Sequence, residues 1–142
     1  MPEKFPALRV LVVEDESLIR WSIAETLVAA GHTVVEAGDG ASAVQALTTA
    51  AVDAVLLDYR LPDSDDLTLL STIRRLSPGS AVILMTAFGT PEVTQHALDL
   101  GVFQVIHKPF DMHDLEPLIH EAHGSTLNEG GVAHVARRSF NG

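Results

Sequence analysis

The chain has 142 residues, 46% of them hydrophobic, and a formal net charge of −10 at pH 7, which suits a single acidic domain with a packed core. It contains no cysteine, which excludes disulfides and thiolate metal sites, and its acidity disfavours direct nucleic-acid binding by this segment. Because the sequence shows neither an N-terminal signal segment nor an apolar run of bilayer length, we expect a cytoplasmic location without membrane association.

Short apolar stretches alternate with amphipathic stretches five times along the chain. The predicted strands, in chain order, are Leu8–Val13, Thr33–Ala37, Ala54–Leu57, Ala81–Met85 and Phe103–His107. Three of them consist almost entirely of Val, Ile, Leu and Ala, which is typical of strands buried on both faces of a parallel sheet. The second strand is more polar, which favours an edge position.

Capping residues and glycines mark the predicted helices that follow these strands. The helices run from Ser17 to about Gly31, from Asp39 or Gly40 through Leu47, from Asp66 to Leu76, from Thr90 to Gly101, and from Asp111 or Asp114 to about His123. Ser17 and Asp66 are the predicted N-caps of the first and third helices. Pro117 favours Asp114 as the start of the fifth helix, since a proline in the first turn interrupts no hydrogen bond.

Five alternations of strand and helix predict an α/β fold, a doubly wound five-stranded parallel sheet with helices on both faces. In such sheets the ligand site lies outside the carboxyl ends of the strands. We predict one domain over residues 7–123. Residues 124–142 lose the periodicity and are predicted to form a flexible tail or the start of a linker, with a short helix over Val132–Phe140 as the alternative.

Polar residues follow four of the predicted strands at the point where each strand ends. They are Glu14 and Asp15 after the first strand, Asp58 after the third, Thr86 after the fourth and Lys108 after the fifth. Because the carboxyl ends of parallel strands meet at one edge of the sheet, we expect these side chains to lie together. Each residue alone has a structural explanation as a helix cap or loop residue, but their joint position favours a functional site.

The chemistry of this set indicates phosphoryl transfer at a metal site. Three clustered carboxylates repel one another, and a divalent cation with oxygen ligands relieves the repulsion; Mg²⁺ is expected, with Mn²⁺ as the alternative. A carboxylate can attack phosphorus to form an aspartyl-phosphate. The lysine and the hydroxyl suit the binding and neutralisation of phosphoryl oxygens.

Four segments of the sequence resemble the receiver domain of two-component response regulators. They are Leu11–Glu16, Leu56–Pro62, Leu84–Ala87 and Lys108–Phe110. The resemblance covers about residues 7–123 and implies the flavodoxin-like topology of that family, with strand order 2-1-3-4-5. The segments at 60–63 and 87–89 resemble the receivers of enhancer-binding transcription activators.

By this resemblance Asp58 is the phosphoacceptor and a member of the Mg²⁺ site. Asp15 is implied as a direct metal ligand, Glu14 as a ligand acting through water, and the backbone carbonyl of Arg60 as the group that completes the site. The alternative function is a phosphohydrolase of the haloacid-dehalogenase kind, which also uses an aspartate nucleophile. That class needs a second aspartate two residues after the first as general acid–base, and Arg60 occupies this position.

The resemblance also assigns residues to phosphoryl binding and signal transmission. Thr86 is implied as the switch hydroxyl, Lys108 as a phosphoryl ligand and Ala87 as the small residue that leaves the acceptor accessible. Val105 replaces the aromatic residue of the family's switch, and valine is too short and too stiff to swing inward in the same way. Phe103 is expected on the same strand face, two residues earlier. Our hypothesis is that the fourth helix and its neighbouring loop carry the readout instead.

As a receiver, the chain is expected to be no enzyme apart from slow self-dephosphorylation. The implied phosphoryl donor is a sensor histidine kinase or a phosphotransfer protein, docked on the first helix near Ile19, Trp21 and Ile23. A downstream effector domain or protein and a phosphorylation-dependent dimer are the implied outputs. Solvated surface positions, in preference to a metal site, are predicted for the histidines near the fifth helix: His113, His120 and His123.

Overall fold

The computed structural model describes residues 6–127, in which five strands and five helices alternate. Their bounds are β1 Arg9–Val13, α1 Ser17–Ala29, β2 Thr33–Ala37, α2 Gly40–Thr49, β3 Ala54–Asp58, α3 Thr68–Leu76, β4 Ala81–Thr86, α4 Pro91–Asp99, β5 Gln104–His107 and α5 Leu115–Leu127, with a 3₁₀ turn at Met112–Asp114 before α5. The strands are parallel in the order β2-β1-β3-β4-β5, which confirms the predicted doubly wound topology. Among the helices within residues 6–127, none is long and apolar enough to span a bilayer.

The sheet carries a hydrophobic cluster on each face, because successive strand residues point to opposite sides. On one side, Val10 and Val12 pack with residues of α1 and α5, among them Ile119. On the other side, Leu11 and Val13 pack with residues of α2, α3 and α4. The strands β3 and β4 are buried on both faces, as their composition predicts, whereas β2 is a partly exposed edge strand.

Two predicted helix starts and two predicted helix ends are confirmed. Thr90 Oγ1 and Asp39 Oδ1 each accept a hydrogen bond from the backbone amide three residues later, at 3.2 and 2.8 Å. Gly31 and Gly101 follow α1 and α4 with φ angles of 101° and 103°, a conformation that glycine adopts at little cost. Local chemistry therefore sets where these helices begin or end.

Two helix starts differ from the prediction. Ser17 is the first residue of α1 and not its cap; the carboxylate of Glu14 accepts a 3.1 Å hydrogen bond from the Glu16 amide and so fixes the preceding turn. The helix α3 begins at Thr68, two residues later than predicted, because Asp66 stays outside the helix and accepts a 2.9 Å hydrogen bond from the Thr68 amide. In both places a carboxylate binds the amide two residues downstream.

The helix α5 extends beyond its predicted end near His123. It continues to Leu127, because Gly124 does not adopt the positive φ that ends α1 and α4. Pro117 lies in the first turn of α5, as predicted, where its missing amide interrupts no helical hydrogen bond. Residues 124–127 of the predicted tail therefore belong to α5, and the rest, including Val132–Phe140, lies outside the described residues.

Candidate functional site

The carboxyl end of the sheet brings together the polar residues that follow the predicted strands. Asp58 and Thr86 are the last residues of β3 and β4, and Glu14 and Lys108 directly follow β1 and β5. One carboxylate oxygen from each of Glu14, Asp15 and Asp58 lies within 4.8 Å of the other two. Three hard oxygen donors at this spacing fit a divalent cation such as Mg²⁺.

Glu14 is the fully buried carboxylate of this site. Its Oε1 accepts a 2.6 Å hydrogen bond from Lys108 Nζ, and its Oε2 accepts a 3.1 Å hydrogen bond from the Glu16 amide. Burial raises the pKa of Glu14; the two hydrogen bonds act to lower it and the Asp58 charge acts to raise it, and the net shift is upward. Two donors therefore hold Glu14 in place, and its negative charge depends on a neighbouring cation.

Lys108 supplies a cation to this pair of buried carboxylates. Its Nζ lies 2.6 Å from Glu14 Oε1 and 3.1 Å from Asp58 Oδ2, so one ammonium group bridges both. Burial acts to lower the pKa of Lys108, but the hydrogen bond with Glu14 and the charge of Asp58 outweigh burial, and the pKa is raised. Lys108 is therefore positively charged at neutral pH, whereas Asp15, the third carboxylate, is exposed to solvent.

The two oxygens of Asp58 are held to different extents. Oδ2 receives the 3.1 Å hydrogen bond from Lys108, whereas Oδ1 lies 3.4 Å from the Arg60 amide, which is a long contact. The guanidinium carbon of Arg60 lies 5.3 Å from the centre of the Phe88 ring, a cation–π contact between the β3–α3 and β4–α4 loops. The backbone of Arg60 is therefore next to Asp58 while its charged head reaches the neighbouring loop.

Thr86 and Ala87 occupy the end of the neighbouring strand. Thr86 is buried, and its Oγ1 accepts a 3.0 Å hydrogen bond from the Phe88 amide. A hydroxyl accepts and donates at the same time, so Thr86 keeps a proton that it can donate. Ala87 is exposed and has only a methyl side chain, which leaves the site open on this side.

Val105 and Phe103 lie on opposite sides of the sheet, which corrects the expectation that they share a face. The strand β5 begins only at Gln104, so the alternation of side chains does not extend back to Phe103. Val105 pairs with Leu84 of β4 and packs against the cluster of α2, α3 and α4. Phe103 is buried with residues of α1 and α5. It is therefore not placed to replace a switch aromatic at position 105.

The predicted docking residues of α1 divide between core and surface. Ile23 is fully buried in the cluster beneath α1, because it lies on the same helix face as Leu27, and it cannot take part in docking. Trp21 is 55% exposed and Leu18 is 73% exposed, so the outer face of α1 is unusually apolar. Ile19 is half-buried between the two regions.

A second cluster of titratable side chains lies between the start of β2 and α5. It includes His120, which is largely buried, so the prediction of a solvated position for His120 is wrong. One ligand atom from each of His32, Glu116 and His120 lies within 4.8 Å of the other two. Glu116 Oε2 lies 3.0 Å from His32 Nε2 and 3.5 Å from His120 Nε2. The sequence separation of 84 residues between His32 and Glu116 hides this contact from pattern analysis. His113 is exposed, as predicted.

Two further residues hold the loops around the acidic site and were missed by sequence reasoning. Arg20 Nη1 donates a 2.7 Å hydrogen bond to the backbone carbonyl of Glu14. Asp63 accepts hydrogen bonds of 2.8 and 3.1 Å from the Gly40 and Ala41 amides, which ties the loop after β3 to the start of α2. Arg20 lies close in sequence to the acidic turn, which is a usable signal, whereas the partners of Asp63 lie more than 20 residues away.

The family model for the response regulator receiver domain matches residues 10–120. The chain belongs to this family. It is a receiver domain of a two-component response regulator, which is a phosphorylation-dependent signal receiver. The strand order and the acidic residues at the strand ends agree with that assignment.

The receiver domain is similar to regulators from several organisms. It is 36% identical over 137 residues to the transcriptional regulatory protein PdtaR of Mycobacterium tuberculosis, covering 92% of this chain and 65% of PdtaR. It is 36% identical over 113 residues to the DNA-binding transcriptional regulator NtrC of Escherichia coli, covering 80% of this chain and 24% of NtrC. The crystal structure of a CheY-like receiver domain protein from Methanospirillum hungatei matches with a TM-score of 0.82 at 27% identity, covering 87% of this chain and 99% of that one. This chain thus spans only part of the length of PdtaR and NtrC.

Proposed function

We propose that Asp58 accepts the phosphoryl group and that Glu14, Asp15 and the backbone carbonyl of Arg60 hold Mg²⁺ beside it. The observation that carries the proposal is the ammonium of Lys108, which lies 2.6 Å from Glu14 and 3.1 Å from Asp58. These carboxylates need a cation between them before any phosphoryl group arrives. Oxygen ligands of this kind are what Mg²⁺ prefers in proteins, with Mn²⁺ as the alternative ion.

Asp58 is the best placed of the three carboxylates to act as nucleophile. Both oxygens of Glu14 accept hydrogen bonds, and Asp15 is exposed to water. Asp58 is buried, and within residues 6–127 its Oδ1 has only the long 3.4 Å contact with the Arg60 amide. A weakly hydrated oxygen with an available lone pair is the more reactive nucleophile.

In the proposed transfer, Asp58 Oδ1 attacks the phosphorus of a phosphohistidine donor. The bond between phosphorus and the donor's imidazole nitrogen breaks, and its electron pair leaves with the imidazole. Lys108 Nζ then binds one phosphoryl oxygen and the Thr86 hydroxyl donates to another. Mg²⁺, when bound, would neutralise the charge on the phosphoryl oxygens. Because Thr86 Oγ1 also binds the Phe88 amide at 3.0 Å, its movement would displace the β4–α4 loop.

The same residues argue against enzymatic turnover. A phosphohydrolase with an aspartate nucleophile needs a general acid–base close to the acyl phosphate, and Arg60 does not release its proton. The phosphorylated state of Asp58 therefore persists long enough to act as a signal. Slow self-dephosphorylation then returns Asp58 to its unmodified state.

A small phosphodonor tests the acceptor assignment directly. Incubation with Mg²⁺ and acetyl phosphate is expected to add one phosphoryl group, measured by intact mass, to the wild-type chain and none to Asp58→Asn. The matched control is Asp66→Asn, which removes an exposed acid whose hydrogen bond is to the Thr68 amide, and it should be phosphorylated like wild type. A phosphorylated Asp58→Asn variant, or an unmodified wild type, would overturn the proposal.

The phosphoryl donor, a sensor histidine kinase or a phosphotransfer protein, docks on α1 beside the site. Leu18 and Trp21 are exposed there, and next to Lys108 a groove of about 390 Å³ is lined by apolar residues. These apolar residues are Ile19, Ala87, Pro109, Phe110 and Met112, and Glu16 and Lys108 complete the lining. Trp21→Ala should slow phosphorylation by the protein donor and leave the acetyl phosphate reaction unchanged. Val28→Ala, which removes an exposed side chain near the other end of α1, is the control.

The output passes through α4, β5 and α5 to an effector domain or protein, or to a second copy in a phosphorylation-dependent dimer, in the cytoplasm. Val105 provides no aromatic ring on the α4 side, so the β4–α4 loop and α4 carry the change. Amide spectra recorded with and without the phosphoryl mimic beryllofluoride should show shifts across residues 87–101. Unchanged amide signals across these residues would show that α4 does not transmit the change.

A further inference from the structure

Arg20 joins three elements around the acidic turn. It lies in the first turn of α1, and its side chain is 22% exposed. Its Nη1 donates a 2.7 Å hydrogen bond to the backbone carbonyl of Glu14, and its Nε donates a 3.0 Å hydrogen bond to Glu36 Oε1 on β2. The planar guanidinium therefore makes one contact with the backbone of the acidic turn and one with a carboxylate on the edge strand.

The hydrogen bond from Arg20 adds to the other hydrogen bonds that hold Glu14 in place. The Glu14 amide donates to the Ala37 carbonyl at 3.0 Å, and its two carboxylate oxygens accept from Lys108 and from the Glu16 amide. Only the carbonyl of Glu14 remains, and Arg20 binds it. This carbonyl belongs to the peptide plane that joins Glu14 to Asp15, and a planar peptide moves as one unit. The hydrogen bond from Arg20 to this oxygen therefore also fixes the orientation of the Asp15 amide, which lies in the same peptide plane.

We propose that Arg20 is a positioning residue for the cation site, which acts by fixing the peptide between Glu14 and Asp15. The inference rests on the proposed function, in which these two residues hold Mg²⁺. Arg20 binds a backbone carbonyl and not a carboxylate oxygen of the site, so it leaves the metal-binding oxygens available. Partners that orient ligands in this way commonly contribute about 10-fold or more to metal affinity.

Glu36 orients Arg20 and offsets its charge. A positive guanidinium near the site would repel Mg²⁺, and the 3.0 Å ion pair with Glu36 reduces that repulsion. Gly38 leaves room for the arrangement, since a Cβ there would lie 3.3 Å from Arg20 Nη1, which is closer than most such contacts. Glu36 therefore has a smaller effect of the same sign as Arg20.

A purely structural role for Arg20, tying α1 to the sheet, makes a different prediction. It would lower the stability of the chain equally with and without Mg²⁺ and leave the affinity for Mg²⁺ unchanged. The matched control is Arg74, whose Nη1 also donates to a backbone carbonyl, that of Ser80, at 3.1 Å and away from the acidic site. Arg74→Met loses the same kind of hydrogen bond, so it reports the structural cost alone.

The decisive experiment is a Mg²⁺ titration of the full chain by calorimetry, with amide hydrogen exchange of Glu16 measured in the Mg²⁺-free protein. Arg20→Met should weaken Mg²⁺ binding by about 10-fold and speed exchange of the Glu16 amide. Arg20→Lys should recover part of the affinity, and Arg74→Met should bind Mg²⁺ like wild type. Glu36→Gln keeps the guanidinium and should weaken binding by less than Arg20→Met.

The outcomes separate this inference from the proposed function. If wild type binds Mg²⁺ and Arg20→Met binds it equally well, the inference is wrong and the proposed function stands. If wild type binds no Mg²⁺, both are wrong. Should Arg20→Met fail to fold, Arg20→Lys and Glu36→Gln decide: Mg²⁺ affinity and Glu16 exchange equal to those of wild type in both variants overturn the inference.

Discussion

Two clusters within residues 6–127 each place ligand atoms of three metal-ligating side chains within 4.8 Å of one another, but the clusters differ in their hydrogen-bond donors and acceptors. The acidic site of Glu14, Asp15 and Asp58 contains only hydrogen-bond acceptors and already holds the ammonium of Lys108. The histidine cluster, which consists of His32, Glu116 and His120, has similar spacing but a different pattern of donors and acceptors. Spacing and residue type alone therefore do not define a metal site.

The difference lies in the ring nitrogens of His32. The buried Leu8 amide donates a 3.0 Å hydrogen bond to His32 Nδ1, so Nδ1 carries a lone pair and the proton of the neutral ring is on Nε2. That Nε2 proton is donated to Glu116 Oε2, 3.0 Å away. A metal ion on Nε2 would leave both ring nitrogens without a proton, whereas a metal-ligating histidine normally donates from its other nitrogen. The cluster is therefore a hydrogen-bonded link that joins the segments directly before β1 and β2 to α5.

The largest expected effect is the removal of the cation from the acidic site. Lys108→Met leaves Glu14 and Asp58 buried without a counterion and should lower the free energy of unfolding by about 3 kcal/mol in EDTA. Under the proposed function Mg²⁺ binds the same carboxylates, so it should stabilise Lys108→Met more than it stabilises wild type. Urea unfolding at neutral pH, with EDTA and with Mg²⁺, measures both quantities.

The control for that measurement is Arg75→Met, which removes an exposed cation from the last turn of α3. It should change stability by less than about 1 kcal/mol and leave the response to Mg²⁺ unchanged. If Mg²⁺ stabilised wild type and Lys108→Met equally, the expectation would be wrong. The ion and the Lys108 ammonium would then not neutralise the same carboxylates, those of Glu14 and Asp58.

A smaller effect is expected from breaking the link at His32. His32→Ala removes the acceptor of the buried Leu8 amide and the donor to Glu116, and should cost about 2 kcal/mol of stability. His32→Asn keeps an oxygen able to accept from the Leu8 amide, so it should recover part of that loss. The matched control, His113→Ala, changes an exposed histidine and should be neutral. Identical losses for His32→Ala and His32→Asn would contradict the role given to the Leu8 amide.

The fold and the acidic site were predictable because their signals are local. Runs of valine, isoleucine and leucine identify the strands, and parallel strands necessarily place Glu14, Asp58 and Lys108 at one edge of the sheet. Phe103 shows the limit of this reasoning, since a one-residue shift in the start of β5 puts it on the opposite side of the sheet. A side chain's face depends on where its strand begins, and strand bounds are poorly specified by composition.

Contacts between distant segments were not predictable from sequence patterns. Glu116 meets His32 across 84 residues, and Asp63 binds two backbone amides of α2 across 23 and 22 residues, so none of these contacts leaves a periodic signal. Arg20 and Glu14 lie close together in the sequence, but the acceptor is a backbone carbonyl. Since every residue has one, the residue types do not predict this hydrogen bond. Tertiary packing decides these partners, and residue spacing does not encode it.

The pH dependence of stability offers a further contrast between the two clusters. Burial lowers the pKa of His120, and the neighbouring His32 and His123 act in the same direction, while Glu116 opposes them. The unfolded chain takes up a proton at this residue near pH 6.5, at about the ordinary histidine pKa, and the folded chain only at lower pH. Stability is therefore lost as pH falls through about 6.5, because the unfolded state binds more protons there.

This contribution is isolated by comparing wild type with His120→Gln in urea unfolding between about pH 7.5 and pH 5.5, a range around the ordinary histidine pKa. Wild type should lose more stability than His120→Gln over that range. At the acidic site the sign is different: the pKa of Lys108 is raised, so its contribution is present below its ordinary pKa of 10.5 and is lost as pH rises through its folded value. A steeper acid loss in His120→Gln than in wild type would contradict the assignment.

The smallest effect is expected on addition of Zn²⁺, which should not bind at the histidine cluster. This experiment tests the difference between the two clusters most directly. With excess Mg²⁺ to occupy the acidic site, addition of Zn²⁺ should leave the ring ¹⁵N signals of His32 and His120 unchanged. The reason is the Leu8 amide, since binding at His32 Nε2 would require the loss of a proton that the neutral ring cannot give up cheaply while Nδ1 accepts. Loss of the Nε2 proton of His32 on Zn²⁺ addition would reverse the conclusion, because the backbone donor would then not determine which of the two clusters binds a metal ion.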